Sequence, residues 1–79
     1  GNIKNLEYFD AEFNEIRSLP PEIGKLINLE YMNLNHNNLS NIPEEIKNLT
    51  NLEELELEKN PIRNRTEVKA LLPDAEIYF

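Results

Sequence analysis

The side chains best suited to chemistry in this chain are carboxylates at alternating positions. Asp10 and Glu12 form one pair, and Glu54, Glu56 and Glu58 form a longer run. Beside them stand Tyr8, Tyr31, Phe13, Asn33, Asn35 and a lone histidine, His36. Paired carboxylates can act as general acid and base, but only in a cleft that drives their pKa values apart. With one histidine, no cysteine and few hydroxyls, no nucleophile with its base can be assembled. A metal site fares no better. Along a strand Glu54 and Glu58 stand ~13 Å apart, whereas a hard cation holds its oxygen ligands at ~2.4 Å. No catalytic residue, metal ligand or cofactor is therefore assigned. What remains for these side chains is recognition.

The elements that would position them repeat along the chain. Leu6, Leu29 and Leu52 are spaced by 23 residues, as are Phe9, Met32 and Leu55, and Ala11, Leu34 and Leu57. The same spacing links Asn14, Asn37 and Asn60, and Ile16, Leu39 and Ile62. A fixed period of this size means stacked units in which each covers its neighbour, rather than one closed core.

One unit, residues 29–51, reads as follows. Tyr31 out, Met32 in, Asn33 out, Leu34 in and Asn35 out is a period of two, a short strand with one buried face. Asn37 and Asn38 turn the chain, and Leu39 and Ile42 point inward again. Ile42, Ile46 and Leu49 then follow at spacings of four and three, one side of a brief helical return opened by Pro43. A strand that returns to a strand through a compact crossover pairs in parallel. The bulkier helical side bends the stack, with strands on the inner curve.

The pattern Leu-x-x-Leu-x-Leu-x-x-Asn-x-Leu-x-x-Leu-Pro-x-x-Ile-x-x-Leu-x-Asn resembles that of leucine-rich repeat proteins. Residues 29–51 match it at nearly every position, with Met32 and isoleucines as conservative replacements. The returns Leu19-Pro20…Ile23 and Ile42-Pro43…Ile46 resemble the 23-residue subclass found in bacterial and intracellular eukaryotic members. The resemblance implies an α/β solenoid, or horseshoe. It has a parallel sheet on the concave side, helical or 3₁₀ returns on the convex side and a C-terminal helix-strand cap. It also implies that the concave face binds partner proteins.

Asn14, Asn37 and Asn60 fall where each strand ends. There an amide can satisfy backbone groups that the ladder leaves stranded. A structural Asn ladder is the expectation for all three.

The outward strand positions form columns across the sheet: Tyr8, Tyr31, Glu54; then Asp10, Asn33, Glu56; then Glu12, Asn35, Glu58; and Phe13, His36, Lys59 at the strand ends. Stacked tyrosines offer rigid apolar area with a polar tip. The surrounding carboxylates suit a basic peptide or a patch rich in Lys and Arg. Alternating glutamates can equally be a solvated side that keeps a sheet soluble, and His36 reads as a turn residue.

The whole chain has 79 residues and a formal net charge of −7, which argues against nucleic acid and anionic membrane as partners. No apolar run approaches the ~20 residues of a membrane span. The lack of cysteine removes disulfides and thiolate sites and points to a cytoplasmic or secreted bacterial protein. Three N-x-Ser/Thr sequons, at Asn38, Asn48 and Asn64, are read as coincidence in an Asn-rich chain.

Residues 1–62 are assigned to the repeats and 63–79 to the cap, within one domain. The sequence opens in mid-repeat, since Ile3 corresponds to Leu26 and Leu49. The expectation is a C-terminal piece of a longer repeat protein, or an uncapped N-terminal face able to associate end to end. After Asn60 the register drifts. Asn64 and Glu67 suggest a capping box, Val68, Leu71 and Leu72 an inward helix side, and Ile77 to Phe79 a last strand. The reading is a non-catalytic protein-interaction module. Its alternative is a structural end piece of a longer stack, with binding surface or enzyme domain upstream.

Overall fold

Three outward-inward-outward residues per unit give three-residue strands, and the computed structural model shows four of them in one parallel sheet. It describes residues 6–79, so Ile3 lies outside the described residues. The strands are β1 (Tyr8–Asp10), β2 (Tyr31–Asn33), β3 (Glu54–Glu56) and β4 (Glu76–Tyr78), in spatial order β1-β2-β3-β4. Tyr8 pairs with Tyr31, Tyr31 with Glu54, and Glu54 with Glu76. Every outward side chain therefore stacks on its equivalent in the next unit.

Two 3₁₀ segments, Pro21–Lys25 and Glu44–Asn48, and one α-helix, α1 (Arg65–Leu71), form the returns. The prolines explain where the 3₁₀ segments start. Pro20 and Pro43 are themselves extended, their rings fixing φ near −70°, and their carbonyls accept the first N–H groups, from Ile23 and Ile46. Gly24 is buried where the two 3₁₀ segments touch. A Cβ built there would lie 2.7 Å from the Glu45 carbonyl oxygen, so no larger residue fits this crossing.

The interior is a stack of aliphatic rungs. Leu29, Met32, Leu34, Leu39, Ile46, Leu49, Leu55, Leu57 and Val68 are fully buried. Each such side chain contributes about 1.5–3 kcal/mol relative to exposure. In the first unit the equivalent Leu6, Phe9, Ala11 and Ile16 are only partly covered, because each rung is sealed by the units on both sides.

Two details at the C-terminal end differ from the sequence expectation. The last strand spans Glu76–Tyr78 rather than 77–79, because α1 replaces the extended stretch and shortens the final step by one residue. Asn64 occupies the N-cap position of α1 without capping it. Its Oδ1 accepts the Ile42 N–H at 3.2 Å, and its Nδ2 donates to the Ile42 carbonyl at 3.1 Å and to Glu67 at 2.7 Å. The amide is used to tie α1 to the preceding unit instead.

Candidate functional site

The sheet face opposite the rungs carries the candidate site in rows that cross the strands. The leading row is Tyr8, Tyr31, Glu54 and Glu76, and the next is Asp10, Asn33, Glu56 and Tyr78. Tyr8 is well exposed and Tyr31 less so, and their rings lie 6.2 Å apart at a 40° tilt. That geometry keeps ring faces open to a partner while the two rings support each other.

Phe13, His36 and Lys59 sit where the strands end, all with φ near +60°. This left-handed conformation costs a side-chain-bearing residue roughly 1–2 kcal/mol. It bends each chain so that the following asparagine, Asn14, Asn37 or Asn60, can turn toward the stack. The Phe13 and His36 rings stack at 4.3 Å, and Phe13 remains 70% exposed.

Asn37 and Asn60 are buried and cross-link adjacent units. Asn37 donates to the carbonyls of Ala11 and Leu34 at 3.0 Å each, and its Oδ1 accepts the Ile16 N–H at 3.0 Å. Asn60 repeats this on Leu34, Leu57 and Leu39. Asn14, in the first unit, is exposed and among the described residues bonds only to its own turn, at Ala11 and Glu12.

The alternation rule fails at Asn35. It was expected to point outward, yet it is buried. The strand stops at Asn33, and the bend beyond it tucks Asn35 against β3. There its Oδ1 accepts the Glu58 N–H at 2.8 Å and its Nδ2 donates to Glu56 at 3.3 Å. Asn33 is half-buried. It donates weakly to Glu12 at 3.4 Å and accepts the Asn35 N–H, while Asp10 accepts the Glu12 N–H in the same way. Glu12, Glu54 and Glu56 are half-buried, and Asp10, His36 and Glu58 are exposed.

Sequence reasoning passed over a further acidic column, Glu7, Glu30 and Glu53. It has the same 23-residue spacing and lies one position before the tyrosines, so the periodicity already contained it. Burial, then the charges of Glu7 and Glu53 and a hydrogen bond with Glu53, pushes the Glu30 carboxyl above its ordinary range. The charge of Glu53, with burial and the charges of Glu54 and Glu30, raises the Tyr31 phenol. Tyr78, also missed, donates its hydroxyl to Glu76 at 2.6 Å. That bond, the charge of Glu76, burial and the charges of Glu54 and Glu56 push its phenol up to about 12. Negative potential is therefore concentrated over β2, β3 and β4.

Among the described residues the one ion pair, Lys47 with Glu44, lies in a 3₁₀ return and not on this face. Also among these residues, no group of His, Asp or Glu could hold a metal ion, and no helix is long and apolar enough to cross a membrane.

A sequence profile described as leucine rich repeat matches residues 4–62, three quarters of the chain. The chain belongs to the leucine-rich repeat family. A solved leucine-rich repeat protein of Leptospira interrogans is similar at 42% identity, with a TM-score of 0.94 over 96% of this chain. The chain spans only 20% of that protein's length. A structure of the Chaetomium Mex67:Mtr2 subunits is similar at 26% identity, with a TM-score of 0.69, covering 92% of this chain and 53% of that one. No curated protein matches the sequence. The leucine-rich repeat solenoid explains the parallel sheet, the 23-residue register and the 3₁₀ returns together. The fold is generally a protein–protein interaction module and typically a non-enzymatic scaffold.

Proposed function

We propose that this leucine-rich repeat domain is a non-catalytic recognition module that binds a basic segment of a partner protein on its strand-lined face. The observation that carries the reading is the outward surface itself. Exposed aromatic rings at Tyr8, Tyr31 and Phe13 stand among carboxylates that have no ion-pair partner within the described residues. Exposed aromatics are hard to explain as solvation. Unpaired charge of one sign steers and selects a partner of the other sign.

The test is recovery of a binding partner from cells expressing the full-length protein, with Glu54, Glu56 and Glu58 changed together to lysine. Loss of the partner is expected, while Glu44→Lys on the opposite side leaves recovery intact. Unchanged recovery with the triple variant overturns the reading.

That outcome would favour a second reading, a structural end module. It is supported by α1, whose buried Val68 lies over the last rungs, and by the small share of the Leptospira protein that the chain spans. In that role residues 63–79 are the cap that covers the final core layer.

A further inference from the structure

Glu54 differs from the carboxylates around it. Asp10, Glu12, Glu56 and Glu76 each accept a hydrogen bond from within the chain. Glu54 accepts none among the described residues, although the sheet removes part of its surface from water. A half-buried carboxylate without a donor is disfavoured unless something else supplies one. Its neighbour in strand register on one side is the Tyr31 ring, and on the other Glu76, already engaged by the Tyr78 hydroxyl.

Resting on the reading of this face as a protein-binding surface, we infer that the Tyr31–Glu54 junction is an arginine-selective pocket for an extended segment of the partner. Strands lie about 4.8 Å apart, so ring and carboxylate stand side by side. A guanidinium is a flat plate that can lay its face on the ring and point two N–H groups at the carboxylate together. An ammonium is a compact point charge and gains only one of these contacts at full strength. Tyr8 packs against the other side of Tyr31 and restricts where that ring can swing. Glu30 and Glu53, at the head of the same strands, add negative potential beside the Tyr31 ring. Among the described residues the only lysine on the sheet face, Lys59, lies at the strand end with Phe13 and His36, away from the leading row. Charge complementarity therefore favours a cationic protein segment, and the ring beside the carboxylate favours arginine within that class.

The test uses fluorescence anisotropy with the 79-residue protein and two labelled serine-glycine peptides, one carrying two arginines and the other two lysines. The arginine peptide is expected to bind about tenfold more tightly, the size of a ring–guanidinium contact added to a charge pair. Tyr31→Leu should abolish that preference, Tyr31→Phe should keep it, and Glu54→Gln should weaken both peptides. Thermal melts confirm that the variants fold. Equal affinity of the two peptides, a preference that survives Tyr31→Leu, or no binding of either peptide overturns the inference. None of these outcomes touches the partner-recovery test above, which reports on the face as a whole.

Discussion

Asn60 reaches back into the preceding unit and donates to the Leu34 carbonyl oxygen at 2.8 Å, while its own Oδ1 accepts the Leu39 N–H at 3.1 Å. With a further bond from its Nδ2 to the Leu57 carbonyl at 3.1 Å, one side chain satisfies backbone groups on two units at the point where strand pairing stops. Removing it leaves a buried N–H and more than one buried carbonyl without partners, at about 1–3 kcal/mol per group. Asn60→Ala should therefore lower stability by about 2–4 kcal/mol. Asn14→Ala, whose amide among the described residues bonds only within its exposed turn, should cost under about 1 kcal/mol. Urea melts of the two variants check the contrast, and equal losses would remove the distinction between them.

Leu34 lies fully buried in the second unit, between Ala11 and Leu57 of the flanking units. Leu34→Ala should cost about 2–5 kcal/mol, transfer energy plus the cavity left behind. In a stack of so few units that is enough to lose most of the folded population at physiological temperature. A melting temperature that hardly moves would contradict its place in the interior.

Gly24 gives a sharper test of how the convex side packs. A methyl group there meets backbone, the Glu45 carbonyl, not a flexible side-chain end. Gly24→Ala should destabilise by about 1–3 kcal/mol through overpacking, although alanine is the better residue for a helical turn. Lys47, the equivalent position one unit on, is exposed, so Lys47→Ala should be near neutral. Thermal melts that rank the two substitutions the other way would refute the crossing.

The buried rungs were legible in the sequence because inward positions are fixed by periodicity alone. Leu29, Met32 and Leu34 alternate, and each recurs 23 residues later. What alternation cannot report is where a strand stops. Asn35 reads as outward only if the strand runs past Asn33, and the bend that follows instead buries its amide against Glu56 and Glu58. Asn64 was misread for a related reason. A capping box is a local pattern, but the nearest unsatisfied backbone groups belonged to Ile42, 22 residues away. The Glu7–Glu30–Glu53 column was visible as spacing. Its electrostatic consequence required the stack, which brings three like charges into one line.

Glu30 sits in the middle of that column, and its raised carboxyl pKa sets the sign of a pH effect. The folded state holds the proton more tightly than the unfolded chain, whose carboxyl titrates near 4.5. Ionising Glu30 therefore opposes folding, and stability from this group falls as pH rises from 4.5 through the folded-state value. Glu30→Gln, which keeps size and polarity, should melt higher than the parent at neutral pH. The gap should close as pH falls toward 4.5. A gap that widens in acid would reverse the assignment.

Tyr78 supplies the opposite end of the pH scale. Its hydroxyl donates to Glu76 and its phenol is pushed up to about 12, against an ordinary value of 10.0. The folded state again keeps its proton longer than the unfolded chain. The stabilisation from this bond is complete below pH 10 and is lost as pH rises from there to about 12. Tyr78→Phe cannot donate the bond. It should be less stable than the parent at neutral pH, and the two should converge across that alkaline window. Ultraviolet titration offers an independent reading. The chain has three tyrosines, and the one that ionises last in the folded protein should disappear in Tyr78→Phe. If the late-ionising phenol survives the substitution, the Glu76 bond is not what holds that proton. The high value would then have to arise from the carboxylates around Tyr31.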